Sequence, residues 1–347
     1  MATIEFRVNE AISMTSSRSG SSGTARRLIW LAAAIVAAIV LYTAGWFYAA
    51  DRLTNEASAV LQRLSGNGDR ASCENIDARG YPFRIGLFCD SIFLERRMEG
   101  FAFQAGALRS AAQVYAPRQV IAELDAPARL NAPGFLPLKL NWEGLRASTR
   151  LTAALPERLS AVASGLKVDV DAPGEAEGEF LRAREFQLHL RPLDADVEVG
   201  LRFDAAKAGS ELPGPDLPPV SGVADIVIED GIAHIARRAF ALPGSSFVIN
   251  RLDVAFEGGG TLSVSGPIAI DESGLIDATL DIRAGETVQL MEVLAEAYPQ
   301  FRSQLTALAA GLTALGPDQA LPLKIRKGVA IFGFIELGRI PPLGAAS

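Results

Sequence analysis

Two cysteines, Cys73 and Cys89, carry the most distinctive chemistry in this 347-residue chain, and there is no third. Thiolates can serve as metal ligands, but a structural zinc site needs four ligands, and the two histidines, His189 and His234, lie far away without ligand-like spacing. Sixteen positions apart, the cysteines read in an oxidising compartment as one disulfide, worth roughly 3 kcal/mol if it closes without strain. The unpaired alternative is two buried thiols. Acid–base and nucleophilic chemistry fare worse, since G-x-S-x-G, H-E-x-x-H and Walker patterns are all missing. His189 falls on the polar side of a strand pattern, and His234 follows the Asp230-Gly231 turn with no carboxylate or nucleophile at a suitable spacing. Gly66-Asn67-Gly68-Asp69-Arg70-Ala71 matches G-x-G-x-x-A, but a dinucleotide fingerprint follows a strand and opens a helix, whereas a helical pattern precedes this one. The acidic pairs Asp77 with Asp90 and Asp277 with Asp281 read as turn or solvent-facing residues. No catalytic residue, cofactor or metal site is therefore expected, and a non-enzymatic role is. Arg79 and Arg84, on either side of Tyr81-Pro82-Phe83, stand out as a basic and aromatic edge that could meet acidic headgroups. The competing reading is an Arg-stapled turn inside the cysteine loop.

The elements that position these residues begin with Leu28 to Ala50, an uncharged run of 23 residues. As a helix it spans about 35 Å at roughly 1.5 Å per residue, enough to cross a hydrocarbon core of about 30 Å. Trp30 lies near one end and Tyr42, Trp46, Phe47 and Tyr48 near the other, as interfacial anchors do. Arg7, Arg18, Arg26 and Arg27 precede the run, so the positive-inside rule predicts a cytoplasmic amino terminus and an exported remainder. A cleaved signal peptide is the competing reading, but the run exceeds a typical apolar region and Tyr48-Ala49-Ala50 is a poor cleavage site. An uncleaved single-pass inner-membrane anchor is expected, with the main domain periplasmic.

Residues 1–27 read as a disordered cytoplasmic tail, being rich in Gly and Ser and poor in apolar residues. The formal charge is −7, and removing the four arginines and two glutamates of residues 1–50 leaves 29 basic and 38 acidic residues, a balance of −9. Such a surface argues against a nucleic-acid partner. Beyond the membrane, Leu53, Ala57, Val60, Leu61 and Leu64 recur at helical spacing up to Gly66.

From Cys73 onward the dominant period is two. Leu262, Val264, Ile268 and Ile270 oppose Thr261, Ser263, Ser265 and Ala269, and Ile276, Ala278, Leu280 and Ile282 oppose Asp277, Thr279, Asp281 and Arg283. Earlier stretches repeat this: Leu136 to Trp142, Leu166 to Val170, Phe186 to Leu190 and Val197 to Phe203. The pattern predicts antiparallel strands with one dry and one wet face. Four prolines between residues 212 and 219 make a connection between a first β-rich half, 51–211, and a second, 220–347, or a stiff crossover within one sheet. Two amphipathic helices are expected at 286–315, split by Pro299, before a closing hairpin turned at Lys327-Gly328. The fold class is mainly β: an antiparallel curved sheet, sandwich or groove, with an N-terminal transmembrane helix and two amphipathic helices near the C-terminus.

The segment from Cys73 to Cys89, built around Gly80-Tyr81-Pro82-Phe83-Arg84, resembles the signature of an uncharacterised family of bacterial inner-membrane proteins with one N-terminal anchor and a paired-cysteine segment. Leu321-Pro322-Leu323-Lys324-Ile325, followed by Gly328-Val329-Ala330-Ile331-Phe332-Gly333, looks like the end of that family. More distantly, the strands and turns from Gly258 to Gly285 are similar to the repetitive strands of AsmA-like envelope proteins, a resemblance that implies lipid handling. Neither resemblance implies catalytic residues.

About a dozen strands offer an apolar face, and few helices are available to cover it. Either the sheet closes on itself into a dry sandwich or barrel, or its face is a groove for acyl chains. In the second case Leu262, Val264, Ile268, Ile270, Ile276, Leu280 and Ile282 bind lipid, Arg79 and Arg84 meet headgroups, and the partners are the membrane and phospholipid. In the first, an anchored scaffold for envelope proteins is the alternative.

Overall fold

Period-two alternation from residue 70 onward becomes, in this computed structural model, one open antiparallel sheet of twenty strands. The structure describes residues 22–66, 68–132, 136–152, 156–171, 178–212, 214–237, 243–315, 320–332 and 335–343. Helix α1 (Ser22–Leu64) begins ahead of the expected Leu28, takes in Arg26 and Arg27, and continues past Ala50 without a break. By length and composition it is a candidate membrane anchor or signal sequence. Most of the expected disordered tail, residues 1–21, lies outside the described residues. Contacts divide the chain into two units at Ala49 and Ala50.

The first ten strands are five ribbons, each broken near its middle. They are β1 (Arg70–Cys73) with β2 (Asp77–Arg79), β3 (Arg84–Cys89) with β4 (Ile92–Arg96), β5 (Phe101–Ala105) with β6 (Leu108–Gln113), β7 (Ala116–Leu124) with β8 (Ala128–Asn131), and β9 (Leu138–Asn141) with β10 (Gly144–Arg150). Leu136, expected inside a strand, precedes β9. On one side of the breaks the pairing order is β2, β3, β6, β7, β10. On the other it is β1, β4, β5, β8, β9. Both branches end on β11 (Arg158–Val170), whose first half pairs with β10 and second half with β9. The topology is therefore a plain up-and-down meander, which β12 (Glu179–Leu193), β13 (Asp196–Ala208), β14 (Val220–Ile228), β15 (Ser246–Phe256), β16 (Thr261–Ile270), β17 (Ile276–Gly285), β18 (Leu321–Arg326), β19 (Val329–Phe332) and β20 (Ile335–Arg339) extend, each beside the strand before it.

The breaks line up across neighbours. Gly106 N–H donates to the Asp125 carbonyl, and Glu143 N–H to the Ser164 carbonyl, so successive interruptions face each other. In β11 the interruption shrinks to Gly165, at φ +59°, and in β13 it becomes Ala205, at φ +47°. An extra residue at such a point bends a strand and increases its twist. It also resets the alternation: Leu159, Ala161 and Ala163 precede Gly165 at odd positions, and Leu166, Val168 and Val170 follow at even ones, so the apolar side stays on one face. Aligned irregularities therefore crease the sheet without scrambling its faces.

The Pro-rich segment joins β13 to β14, which pair directly, with Phe203 opposite Gly222 and Ala206 opposite Val220. Helix α2 (Gly231–Arg237) carries His234. Helices α3 (Thr287–Ala297) and α4 (Arg302–Leu315), separated by a short turn at Pro299–Phe301, occupy the expected region. Glu286 stands at the α3 N-cap at φ +48°, and its carboxylate accepts the Gly260 N–H at 3.0 Å. Leu290 and Met291 of α3 and Ala309 of α4 pack on Phe256, Leu262, Ala284 and Leu321 of the sheet.

Candidate functional site: an apolar row and the face behind it

Strand register, not proximity in sequence, assembles the site. Leu188 lies opposite Leu201, Leu201 opposite Ala224, Ala224 opposite Leu252, Leu252 opposite Val264, Val264 opposite Ile282 and Ile282 opposite Leu321. In the other direction the same row passes through Ala161, Ala147 and Ala122. Ten strands thus contribute one apolar residue each, and at about 4.8 Å per strand the row runs for roughly 43 Å. A parallel row passes through Leu108, Leu124, Leu145, Ala163, Phe186 and Phe203. It continues at Gly222, where an added Cβ would lie 2.7 Å from the Phe203 ring, so the ring rests on the space a side chain would fill.

Burial along this face is uneven, with Ala163, Val168, Val170, Val197 and Ala224 buried. Among the described residues no large side chain falls below 2% exposure, and Leu159, Phe186, Leu188, Leu190, Leu201, Phe203 and Ile226 are all half-buried. No hydrophobic cluster of the described residues joins that stretch to a helix.

All seven residues expected to bind lipid lie on the apolar side, but the protein covers several of them itself. Leu262 sits beneath α3 and α4. Val264, Ile268, Ile276 and Leu280 gather with Ile249, Leu323, Ile325 and Ile340. Ile270 is buried, and Ile282 is half-buried in the long row. The stretch free of such cover lies nearer β11 to β14. The same alternation marks it in the sequence, but only the register shows that its residues line up across strands.

Cys73 and Cys89 form a disulfide, with Cα atoms 5.4 Å apart. It ties β1 to β3, which lie on opposite sides of the line of breaks. Beyond it, on the polar side of the sheet, is a concavity of about 680 Å³ lined by Arg84, Phe88, Arg109, Gln113, Gln119, Ile121, Glu123, Arg146, Ser148, Arg150 and Arg158, among others. Arg84 therefore reaches a built depression. Arg79 pairs with Asp77 at 2.9 Å and lies 5.0 Å from the centre of the Phe88 ring, so it braces one wall. The hydrogen bond from Arg79, foremost, holds the Asp77 carboxyl below its ordinary pKa. Arg109 donates two hydrogen bonds to Asp125, which raise its pKa, and Arg146 donates to Glu123 at 2.9 Å. His189 is also on the polar side, with Nδ1 2.9 Å from Ser160 Oγ, and among the described residues no three His, Cys, Asp or Glu side chains gather as a metal site.

The fold and its two faces define a disulfide-bonded, open β-meander protein with a candidate membrane segment ahead of the sheet. The chain belongs to a bacterial family described as an uncharacterized protein conserved in bacteria (DUF2125), whose model matches residues 46–341. No curated protein matches it.

Proposed function

We propose that this is a non-enzymatic, membrane-anchored envelope protein whose creased sheet holds the acyl chains of phospholipid along its apolar face. The observation that carries the reading is the ten-strand row from Ala122 to Leu321, apolar throughout and half-buried at Leu188, Leu201 and Leu252. Apolar surface left partly open to water along such a row is costly, and it becomes an asset when lipid occupies it. The four arginines before the apolar run at Leu28 support a cytoplasmic amino terminus, and the disulfide supports a periplasmic sheet. The similarity to AsmA-like strands points the same way.

Photocrosslinking in living cells tests the proposal. Leu201→p-benzoylphenylalanine is compared with Arg202→p-benzoylphenylalanine, its neighbour on the opposite face, and adducts are weighed by mass spectrometry. Phospholipid adducts from position 201 and none from 202 are expected. An absence of lipid from 201, with protein adducts from 202, would refute lipid handling and favour a scaffold for envelope proteins.

A further inference from the structure

We infer that the concavity on the polar face binds a phosphoryl group. The inference stands apart from the acyl-chain reading, because its residues lie on the opposite side of the sheet. Arg84 is opposite Gln113, Gln119 is opposite Arg150, and Arg150 is opposite Arg158, so five long donor side chains from five strands edge the depression. Two of them create a problem for the empty protein. Arg150 and Arg158 are directly cross-strand, and like charges there weaken a sheet.

Among the described residues one carboxylate answers that pair, Glu157, 3.7 Å from Arg150 and more than half exposed. The row behind is neutralised, with Arg109 on Asp125 and Arg146 on Glu123. Uncompensated positive charge is thus concentrated at Arg150 and Arg158. The small side chains of Ala111 and Ser148 leave the floor open, and Ile121, 56% exposed, offers an apolar contact beside the guanidiniums. Two guanidinium forks facing a common space match the oxygens of a phosphate, which accept such hydrogen bonds bidentately. The ligand class is a phosphate ester, supplied either by a phospholipid headgroup or by a soluble metabolite.

The test is calorimetric titration of the full chain in detergent with sodium phosphate, glycerol 1-phosphate and, below its micelle concentration, dihexanoyl phosphatidylglycerol. Wild type is expected to bind at least one, and Arg150→Gln or Arg158→Gln to weaken that binding about tenfold or more. Arg251→Gln, on β15, leaves it unchanged. Binding of phosphate or glycerol phosphate identifies a soluble source, and binding of the short-chain lipid alone identifies a headgroup. Melting in phosphate-free buffer supplies a second readout. Relief of the like-charge pair makes Arg158→Gln melt at or above wild type, whereas a merely structural arginine would leave it melting lower. Wild type that binds none of the three probes, or Arg variants that bind as wild type does, would overturn the inference.

Discussion

Leu201→Gln separates an open apolar face from a sealed core. Leu201 is half-buried between Leu188 and Ala224 on neighbouring strands. On an open face the substitution weakens two cross-strand apolar pairs, each worth about 0.2–1 kcal/mol, while the carboxamide turns to water. The cost is then about 1 kcal/mol. In a sealed core the leucine transfer term of about 2 kcal/mol is lost as well, and an unpaired amide adds about 1–3 kcal/mol, for a total of about 3–5 kcal/mol. At about 2 °C per kcal/mol for a domain of this size, the two cases predict melting drops of about 2 °C and about 6–10 °C. Leu280→Gln is the internal standard, because Leu280 is 8% exposed and packed with Ala278 and Ile325. Circular dichroism melting of both variants in the full chain reads the difference directly. Equal, large drops at the two positions would mean that Leu201 is as dry as Leu280, and the reasoning about an open face would fail.

Removing the disulfide with Cys73→Ser and Cys89→Ser is expected to cost about 3 kcal/mol, from the loop of 16 positions that the bond closes. Melting with and without reductant checks it, and wild type should fall to the level of the variant when reduced. Asp271 gives a pH signature. Its Oδ1 accepts hydrogen bonds from Ser273 N and Oγ and from Leu275 N, and the Ser273 bond foremost lowers its pKa from the ordinary 3.8. A carboxylate with a depressed folded pKa stabilises fully above its unfolded value and loses that contribution as pH falls through the folded one. The advantage of wild type over Asp271→Asn is therefore expected to be constant above about pH 5 and to shrink below about pH 4. An advantage that grows on acidification would contradict the assignment.

Much of the architecture was legible because alternation is a local signal. Leu262, Val264, Ile276 and Leu280 declare their strands without reference to any partner, and Val288, Met291 and Leu294 declare a helix by their spacing. The breaks were not legible. Pairs such as Cys89 and Ile92, or Leu124 and Ala128, end one strand and start the next within a few residues, and only pairing across neighbours shows that the interruptions align. Gly165 reads as a glycine inside a strand, but its role in keeping Ala163 and Val168 on one side appears only with the register. The clearest alternation lies on β16 and β17, the part of the face that α3, α4 and Ile340 help to cover. Arg150 and Arg158 are eight positions apart in sequence, and only the hairpin makes them cross-strand neighbours.

Coverage is what finally distinguishes the two ends of the sheet. A single-layer sheet has no second sheet to bury its apolar side, so each stretch needs a helix, a crease or a ligand. Near β15 to β18 the chain supplies the helices, and Leu290 reaches 2% exposure there. Around β11 to β14 the short helix α2 reaches only the start of β13, where Val197 is buried, and leucine and phenylalanine side chains stay half-buried. From β12 to β16 each strand pairs only with the strands before and after it in sequence, so the stability of this stretch is set locally. A chain under selection for stability alone could have continued the helical cover with one more amphipathic segment. The half-buried middle is the part of the apolar face on which the acyl-chain proposal turns.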